Sequence, residues 1–564
     1  MNHIKPNSTF NEVLVAMKFD KHTSLPSGFA VVVGEKGKVV GVISDSDIRR
    51  AVLNTKQSKL KLKAKDLMQK NFIYMLEDEL NTQNFSRLNA MIASRKIDNV
   101  FSIQFIPILD KKLRHVRTVL MSDVFENWQN ETEELIVIGL GYVGLILALS
   151  FADKGKKVIG IDVDKKTIDN LKNFQSHIYE PGIEVLMKKT LGKNFIVEHS
   201  LSNFSNHKSL KNKSYIICVG TPIKNGKVDK TQLLKTIDFL SVNLNKGDSI
   251  ILRSTVPIGF SRETADQIAS RTGLVPGIDF YFGYAPERTI EGNAIVECST
   301  VPQIYSGYTD ACSYKISKVF STISRLEIKC ESLEACELGK LMTNAYRDVI
   351  FGFSNEMALI ADKYNLDINK LVGDVNSGYN RNQIKKPSPG VGGPCLSKDS
   401  YILSSGNIKN YKVINSARVV NEAMPEHVAQ ILVNHAKENK IRKILIIGLA
   451  FKGDPETKDL RNSPSIKILD ILLKKNYDIR VYDNIVTKKD INQRLLPLFY
   501  SQNDEWYPEM VCVLNNHQDN YNTVNKILNF VKQITLFDPW YICTALYDDK
   551  RIKFIKTLSM TWVK

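Results

Sequence analysis

The chain has 564 residues, too many for a single core, so we expect three or four domains. It is 43% hydrophobic and 24% charged, as in globular proteins, and no apolar run is long enough to span a membrane. The formal net charge is +17, yet no zinc-finger spacing, RNA-recognition signature or long Lys/Arg block indicates nucleic acid. Two explanations of the positive charge remain: an anionic small substrate, or a lysine-rich composition without a function. The eight cysteines form no CxxC pair, so we predict no metal site, no disulfide framework and a reduced, cytoplasmic compartment.

Residues 1–130 are predicted to form a separate α+β module. Phe29-Ala-Val-Val-Val33 is typical of a strand, Gly34-Glu-Lys-Gly37 of a turn, and Lys38-Val-Val-Gly-Val-Ile43 of the second hairpin strand. A helix is predicted to begin at Ser44-Asp-Ser-Asp-Ile. This order resembles the cystathionine-β-synthase-type (CBS) module. The resemblance implies an adenine nucleotide, with its phosphate and ribose at Ser44 and Asp47.

The second half of this module is degenerate. Phe105-Ile-Pro-Ile-Leu and Val116-Arg-Thr-Val-Leu fit its two strands, but the glycine and the Ser/Thr-x-x-Asp signature of the first half are missing. A packing module that binds no ligand is therefore an equal alternative to a nucleotide site.

A dinucleotide-binding fingerprint follows the polar linker Glu131-Thr-Glu-Glu134. The apolar strand from Leu135 runs into Gly139-x-Gly141-x-x-Gly144, which opens an apolar helix. A second strand ends at Asp162, about twenty residues on, where a carboxylate binds a ribose diol and repels a 2′-phosphate. The pattern predicts NAD rather than NADP, with the pyrophosphate at the helix N-terminus.

Three further strands end in small polar or acidic residues. In open α/β sheets, ligands bind beyond the carboxyl ends of the strands, so these endings predict one shared site. They are Thr221 and Pro222 after Ser214–Gly220, Ser254 and Thr255 after Ser249–Arg253, and the segment 285–292 after Phe280–Tyr284.

A long helix is predicted from Leu333 to Tyr364, because the stretch contains no proline. Lys340, Asn344 and Arg347 lie on one stripe of this helix. The pattern fits either a solvated polar face or a polar strip that points into a site.

The stretch Pro387-Ser-Pro-Gly-Val-Gly-Gly-Pro-Cys-Leu-Ser-Lys-Asp-Ser400 is rich in glycine around one cysteine. If a helix begins near Cys395, Lys398 and Asp399 lie over the same face. A helix N-terminus and an ammonium both stabilise a thiolate, so a lowered pKa is expected for Cys395. A glycine turn with a buried cysteine is the alternative on this stretch alone.

A second Rossmann-like sheet is predicted near the C-terminus. Its strands are Lys443–Gly448, Asp478–Asp483, Met510–Leu514 and Ile534–Asp538. The first strand leads into Leu449-Ala-Phe-Lys-Gly453 and lacks a complete GxGxxG, which fits a nucleotide that is not a dinucleotide.

Together these stretches resemble the UDP-glucose/GDP-mannose dehydrogenase family over residues 134–545. The matching pieces, in chain order, are Gly139-Leu-Gly-Tyr-Val-Gly, Glu180-Pro-Gly, Ser254-Thr-Val-Pro, Pro286-Glu-Arg, Glu337-Leu-x-Lys-Leu-x-x-Asn344, Gly390-Val-Gly-Gly-Pro-Cys-Leu-Ser-Lys-Asp399, Gly448-Leu-Ala-Phe-Lys452 and Arg461-Asn-Ser-Pro464.

The resemblance implies an α/β fold of two Rossmann-like domains joined by a central long helix, after the N-terminal CBS-like module. It places an NAD-binding domain at 134–325, a helical dimerisation domain with the cysteine loop at 326–430 and a UDP-sugar-binding domain at 431–564. A homodimer or a higher homo-oligomer is expected.

The resemblance also implies a reaction, the NAD-dependent four-electron oxidation of a nucleotide sugar's C6 hydroxymethyl to a uronate for a surface polysaccharide precursor. Cys395 would form a thiohemiacetal and then a thioester. Lys340, Asn344 and Asp399 would handle the oxyanion and protons, and Glu287 and Thr255 the water. The family's cofactor contacts fall on Gly139, Gly141, Tyr142, Val143, Gly144, Asp162, Thr221, Pro222, Ser254, Thr255, Glu291, Lys398 and Arg461. Its nucleotide-sugar contacts fall on Glu287, Arg288, Lys340, Asn344, Arg347, Arg381, Gly392, Phe451 and Lys452.

Pro286-Glu-Arg and Asn380-Arg-Asn-Gln-Ile resemble the branch that acts on UDP-N-acetylhexosamines. Pro394 replaces that branch's usual histidine, and the gap from Lys452 to Arg461 is longer, which leaves UDP-glucose open as a substrate. Three alternatives from other classes also stand. They are a two-electron 3-hydroxyacid dehydrogenase, a nucleotide sensor without activity, and an enzyme gated by its N-terminal module.

Overall fold

The computed structural model describes residues 3–17, 28–54, 61–81, 91, 105–120, 134–200, 212–224, 227–404, 410–500, 505–559 and 561–563. The chain divides into two compact units, Met1–Glu133 and Glu134–Lys564. Within the described ranges, no helix is both long and apolar enough to cross a membrane.

The first unit contains two three-stranded sheets, in the orders β1-β2-β3 and β4-β5-β6. The predicted hairpin is confirmed, since Ala30 lies opposite Ile43 in an antiparallel pair. Both strands expected in the second half are also present and pair with each other. The elements are β1 (His3–Ile4), α1 (Phe10–Ala16), β2 (Phe29–Val33), β3 (Val39–Ser44), α2 (Asp45–Asn54), α3 (Ala64–Leu67), β4 (Met75–Leu76), α4 (Glu77–Asn81), β5 (Phe105–Leu109) and β6 (His115–Leu120).

The second unit begins with an eight-stranded sheet in the order β16-β15-β14-β13-β10-β7-β8-β9. Its strands are parallel except where β15 runs antiparallel to β14. They are β7 (Glu134–Ile138), β8 (Val158–Asp162), β9 (Phe195–His199), β10 (Lys213–Ile217), β13 (Ser249–Leu252), β14 (Tyr281–Tyr284), β15 (Gln303–Gly307) and β16 (Glu327–Lys329). A two-stranded ribbon, β11 (Ile223–Lys224) and β12 (Lys227–Val228), lies outside this sheet.

Apolar cores cover both faces of this sheet, which explains why central strands such as β7 are nearly continuous hydrophobic runs. Val137 belongs to one core and Ile136 to the other. The helices that follow the strands are α5 (Tyr142–Asp153), α6 (Lys165–Lys172), α7 (Ile183–Thr190), α8 (Thr231–Asn243), α9 (Phe260–Thr272), α10 (Ala294–Thr300) and α11 (Asp310–Phe320).

The long central helix α12 spans Leu333–Lys363, close to its predicted limits. Its N-terminus is capped by Ser332, whose Oγ accepts the Ala335 N–H at 3.1 Å. Three helices follow it, α13 (Ile368–Asn376), α14 (Leu396–Leu403) and α15 (Lys412–Glu438). Helix α15 continues past position 430, where the sequence placed a domain limit, and strand β16 likewise lies beyond the limit placed at 325.

The C-terminal part is a second, fully parallel sheet in the order β18-β17-β19-β20-β21. Its elements are β17 (Lys443–Ile447), α16 (Pro464–Leu473), β18 (Asp478–Tyr482), β19 (Met510–Val513), α17 (Asn520–Leu528), β20 (Ile534–Phe537) and β21 (Ile552–Lys556). Two Rossmann-like sheets joined by a long helix, with the N-terminal α+β module, are the fold class that the sequence predicted.

Candidate active site

The turn between β7 and α5 has room for a phosphate. A side chain on Gly144 would collide with the Gly139 carbonyl at 1.8 Å, so this glycine serves helix-strand packing. Gly141 differs, because a Cβ there would meet nothing within 4 Å. Helix α5 begins at the next residue, so its first N–H groups face this open space.

Asp162 lies where a ribose would meet this turn. Its Oδ2 accepts the Leu140 N–H at 2.7 Å, and its Oδ1 accepts the Asp164 N–H at 2.9 Å. These two bonds fix the half-buried carboxylate and leave further lone pairs for a diol. Gly141 and Asp162 therefore fit a dinucleotide, and the chemistry that NAD supplies when bound is hydride acceptance.

The long helix α12 is anchored on this cofactor-binding lobe by Glu337. The buried carboxylate accepts the backbone N–H groups of Gly259 at 2.6 Å and Ser261 at 2.8 Å, and so caps α9. Burial raises the pKa of Glu337. Lys340 and Asn344 lie one and two turns further along the same face of α12, so this contact also fixes their position relative to the cofactor-binding lobe.

The structure brings Lys340, Asn344 and Asp399 together. The Asn344 amide donates to Asp399 Oδ2 at 2.6 Å, and Lys340 Nζ lies 4.0 Å from the same oxygen. All three residues are buried, and Asp399 is fully so. Asp399 Oδ1 is also buried but has no hydrogen-bond partner. A buried carboxylate oxygen needs a donor, so a water molecule or a substrate hydroxyl fits here.

Cys395 is the N-cap of α14, and the residue is exposed. The expected lowering of its pKa is wrong. Surrounding protein atoms desolvate the sulfur and raise the pKa of the thiol, and the Asp399 carboxylate raises it further. Lys340 and Lys398 act in the opposite direction without offsetting these effects. The surroundings of the sulfur therefore favour the thiol over the thiolate.

A buried polar cluster holds α14 against the long helices. Asp348 on α12 accepts Arg418 Nη1 at 2.6 Å and the Asn421 amide at 2.9 Å, both from α15. Its other oxygen accepts Ser400 Oγ of α14 at 3.2 Å. The cluster ties three helices together, so the helix that carries Cys395 and Asp399 is rigidly placed.

The glycine loop before Cys395 packs closely on the C-terminal lobe. Gly393 has φ +88°, and a Cβ there would come within 2.8 Å of the Phe451 ring. The Gly393 N–H donates to the Arg461 carbonyl at 3.1 Å, and the Asn462 amide donates to Ser397 Oγ at 3.0 Å. The cysteine thus lies between the two α/β lobes.

Basic residues of the C-terminal lobe face the cofactor-binding lobe across this cleft. Lys452 Nζ donates to the Glu291 carbonyl at 2.6 Å, and Arg461 Nη2 lies 3.4 Å from Glu291 Oε1. Burial lowers the pKa of Lys452 to about 8, and the nearby Arg347 lowers it too. Lys452 and Arg347 are therefore neighbouring cations in a partly buried place. Two such charges fit an anionic ligand such as a diphosphate.

Glu287 is an ion-pair partner in the structure. Its Oε2 accepts Arg253 Nη2 at 2.8 Å, and its Oε1 accepts the N–H groups of Arg288 and Thr289 at 2.7 and 2.9 Å. Burial raises the pKa of Glu287, but Arg253 and these N–H groups outweigh burial and hold it at about 2. Such a carboxylate is a weak base, although it can orient a water molecule. Its predicted role with water stays a prediction.

Glu287→Gln is expected to lower the free energy of unfolding by about 3–5 kcal/mol, because it leaves Arg253 buried without its counter-ion. Urea unfolding measures this at pH 7. The folded-state pKa of about 2 lies below the ordinary 4.5, so the stabilisation is present above pH 4.5 and is lost towards pH 2. The two proteins should therefore converge in acid. A constant difference across that range would contradict the ion-pair account.

Other predicted residues are not drawn into the cysteine cluster. Arg288 Nη1 donates to the Pro302 carbonyl at 3.0 Å, and Arg381 is exposed. Thr221 Oγ1 donates to the Thr255 carbonyl, and Ser254 Oγ donates to the Val219 carbonyl, so these residues shape the strand ends. In the described part of the chain, no group of three or more His, Cys, Asp or Glu side chains could hold a metal ion.

The sequence did not single out Arg253 or the pair of Asp348 and Arg418. Arg253 is 3% exposed at the end of an otherwise apolar strand, and a charge in that place was an available signal. Asp348 and Arg418 lie seventy residues apart, so neither shows its partner in the sequence.

Four family models match the chain. The NAD binding domain, central domain and UDP binding domain of the UDP-glucose/GDP-mannose dehydrogenase family match residues 133–324, 334–423 and 445–545. The CBS domain matches residues 2–54.

Similar proteins have known names. A UDP-N-acetyl-D-mannosamine dehydrogenase of Pyrococcus horikoshii is 32% identical over 359 residues, which cover 62% of this chain and 84% of that protein. The enzyme of the same name from Escherichia coli K12 is 30% identical over 352 residues, covering 60% and 81%.

Solved structures agree. The P. horikoshii UDP-D-ManNAc dehydrogenase superposes with a TM-score of 0.63 at 29% identity, over 72% of this chain and 94% of that one. The Staphylococcus aureus UDP-N-acetyl-mannosamine dehydrogenase gives 0.63 at 26% identity, over 76% and 98%. Given these matches, the chain belongs to the UDP-glucose/GDP-mannose dehydrogenase family and is an NAD-dependent oxidoreductase.

Proposed function

We propose that the protein oxidises the C6 hydroxymethyl of a nucleotide sugar to a carboxylate through a covalent bond to Cys395. The balanced reaction is R–CH₂OH + 2 NAD⁺ + H₂O → R–COO⁻ + 2 NADH + 3 H⁺. The observation that carries the proposal is the accessible Cys395 thiol beside Lys340 and the unpartnered oxygen of Asp399. A four-electron oxidation needs such a tether, because a free aldehyde would otherwise diffuse away.

The first stage forms an aldehyde, and it requires stabilisation of the negative charge on the C6 oxygen. As C6 loses hydride, its hydroxyl also loses a proton, and negative charge develops on that oxygen. The Lys340 ammonium and the Asn344 amide both lie near Asp399 Oδ2, and in this account they stabilise that charge. A water on Asp399 Oδ1 is the proton acceptor in this account.

The second stage uses the sulfur. A thiol S–H adds across the aldehyde, so carbon gains the sulfur and oxygen gains the proton, with no net proton released. The attacking form is the thiolate, so the sulfur gives up its proton as the C–S bond forms, and the oxygen of the former aldehyde takes up a proton. Loss of a second hydride and a proton gives a thioester, and water then releases the carboxylate and restores the thiol.

The preferred substrate class is a UDP-N-acetylhexosamine. Supporting this, the relatives named above are UDP-N-acetyl-mannosamine dehydrogenases, and the third matching model is a UDP binding domain. Lys452 and Arg347 would face the diphosphate. UDP-glucose is the runner-up.

The test is the yield of NADH per sugar with UDP-GlcNAc, UDP-ManNAc, UDP-GalNAc, UDP-glucose and GDP-mannose. Two NADH and one uronate from an N-acetylated UDP-sugar are expected. One NADH and a stable aldehyde would favour a two-electron dehydrogenase, and no reduction of NAD with any of the five would revive the sensor hypothesis.

We also propose a homodimer that forms through α12. Met342, Tyr346, Phe353 and Ile360 form an exposed apolar stripe at helical spacing on that helix. A stripe of this length fits a second copy of the same helix better than it fits water.

Tyr346→Glu is expected to convert the dimer to monomer at micromolar concentration, because it places a charge in the apolar contact. Light scattering gives the mass. Val242→Glu is the matched control, since Val242 is even more exposed but lies on α8, and it should leave the dimer intact. A monomeric unmodified protein would contradict the proposal.

An adenine nucleotide on the N-terminal unit stays a proposal. Asp47 is buried, and its oxygens already accept Ser44 Oγ at 2.6 Å and the Gln69 amide at 2.9 Å, so a ribose would have to displace a protein donor. Calorimetry with AMP and ATP tests it, and absence of binding would leave a packing module. The cytoplasmic assignment also stays a prediction, supported by eight free thiols.

A further inference from the structure

A second set of contacts crosses the cleft away from the cysteine. It joins the segment before α7, which belongs to the cofactor-binding lobe, to the loop between β17 and α16 of the C-terminal lobe. Tyr179 Oη donates to Glu456 Oε2 at 2.7 Å. Lys458 Nζ lies 5.9 Å from the centroid of the same tyrosine ring.

Glu456 is held firmly on its own lobe. Its Oε1 lies 3.2 Å from Nε2 of the buried His517. The Asp519 N–H donates to His517 Nδ1 at 3.1 Å, so a neutral imidazole carries its proton on Nε2 and donates it to Glu456. The carboxylate therefore meets Tyr179 in a fixed orientation.

The backbone at Glu456 also touches the other lobe. Gly292 has φ +88°, and a Cβ on it would lie 2.2 Å from the Glu456 carbonyl oxygen. This approach is possible only for glycine, and it brings the loop against the segment that carries Glu291. The contact between the lobes is thus a packed one as well as a polar one.

The cofactor turn connects to this contact through Glu180, the neighbour of Tyr179. The buried Glu180 carboxylate accepts the Gly292 N–H at 2.8 Å and the hydroxyl of Tyr142, which lies within the glycine turn itself. Consequently, the segment of Tyr179 and Glu180 contacts both the dinucleotide turn and the loop that carries Lys452 and Arg461.

We propose that Tyr179 and Glu456 form a latch that couples the two ligand sites, so that a ligand in either lobe tightens binding in the other. Both are positioning residues, since they act by holding the lobes together around the reacting groups. Burial and the nearby carboxylate raise the pKa of Tyr179 to about 12, so it remains a donor at neutral pH. The proposal rests on the proposed function for the identity of the two ligands, a dinucleotide and a uridine nucleotide.

The test is calorimetry on the full-length protein with NAD and UDP, each alone and in the presence of the other. Linkage requires that UDP raises NAD affinity by the same factor by which NAD raises UDP affinity. Tyr179→Phe removes only the crossing hydroxyl and is expected to reduce that factor about threefold to tenfold. Glu456→Ala removes the acceptor and should reduce the factor at least as much, and adding Tyr179→Phe to it should have no further effect, because the crossing bond is already lost.

Asp153→Asn is the control, since it breaks a 2.6 Å pair with Lys189 that lies within the cofactor-binding lobe. It should leave the coupling factor unchanged. An unchanged factor in Tyr179→Phe, or effects that multiply in the double variant, would overturn the latch. Failure of the unmodified protein to bind either nucleotide would instead contradict the proposed function, so the two failures are distinguishable.

Discussion

Cys395→Ser is expected to stop uronate formation, with the rate falling by about 10³-fold or more. The serine hydroxyl cannot form the thiohemiacetal, so the second oxidation has no covalent intermediate to act on. The first oxidation does not need sulfur, and the variant should therefore release no more than one NADH per sugar and accumulate the aldehyde. Absorbance at the NADH band and aldehyde trapping with a hydrazine measure the two quantities.

Cys330→Ser is the matched control. Cys330 is another free and partly exposed thiol, but it lies after β16 and outside the cleft cluster. Its replacement should leave the yield of two NADH per sugar unchanged. Normal uronate yield from Cys395→Ser would remove the sulfur from the mechanism.

Lys340→Met is expected to lower kcat by about 10²–10³-fold while the KM for the sugar changes little. The ammonium is nearly enclosed, with 10% of its side chain exposed, and it lies 4.0 Å from Asp399. In such a place a fixed charge stabilises a developing oxyanion strongly. Methionine keeps the length and the packing of the side chain, so steady-state kinetics should report the loss of charge.

Lys363→Met serves as the control, because Lys363 is an exposed residue at the end of the same helix. It should behave as the unmodified enzyme does. A fall in kcat of less than about fivefold in Lys340→Met would exclude Lys340 as the main stabiliser of the oxyanion.

The sequence predicted most of the fold because its signals are local. Apolar runs that end in turn residues predicted the strands of both sheets, and the absence of proline between Leu333 and Tyr364 predicted the long helix. The domain limits stay a prediction, and the one at 430 falls within α15, which runs without interruption through that position.

The candidate site was predictable where one helix carries its residues. Lys340 and Asn344 share a face of α12, and the structure brings Asp399 to them. The sequence could not predict which groups surround Cys395 and Glu287 in the folded protein. Desolvation reverses the pKa shift expected for Cys395, and its extent depends on how the folded chain packs around the sulfur. Arg253 engages Glu287 from 34 residues away along the chain.

Mass spectrometry of the enzyme, quenched with acid during turnover, tests the central claim most directly. The peptide that contains Cys395 should carry the additional mass of the nucleotide uronate bound as an acyl group. Hydroxylamine should remove this group, because that nucleophile cleaves thioesters. Full uronate production with no adduct on Cys395, or an adduct on another residue, would contradict the account.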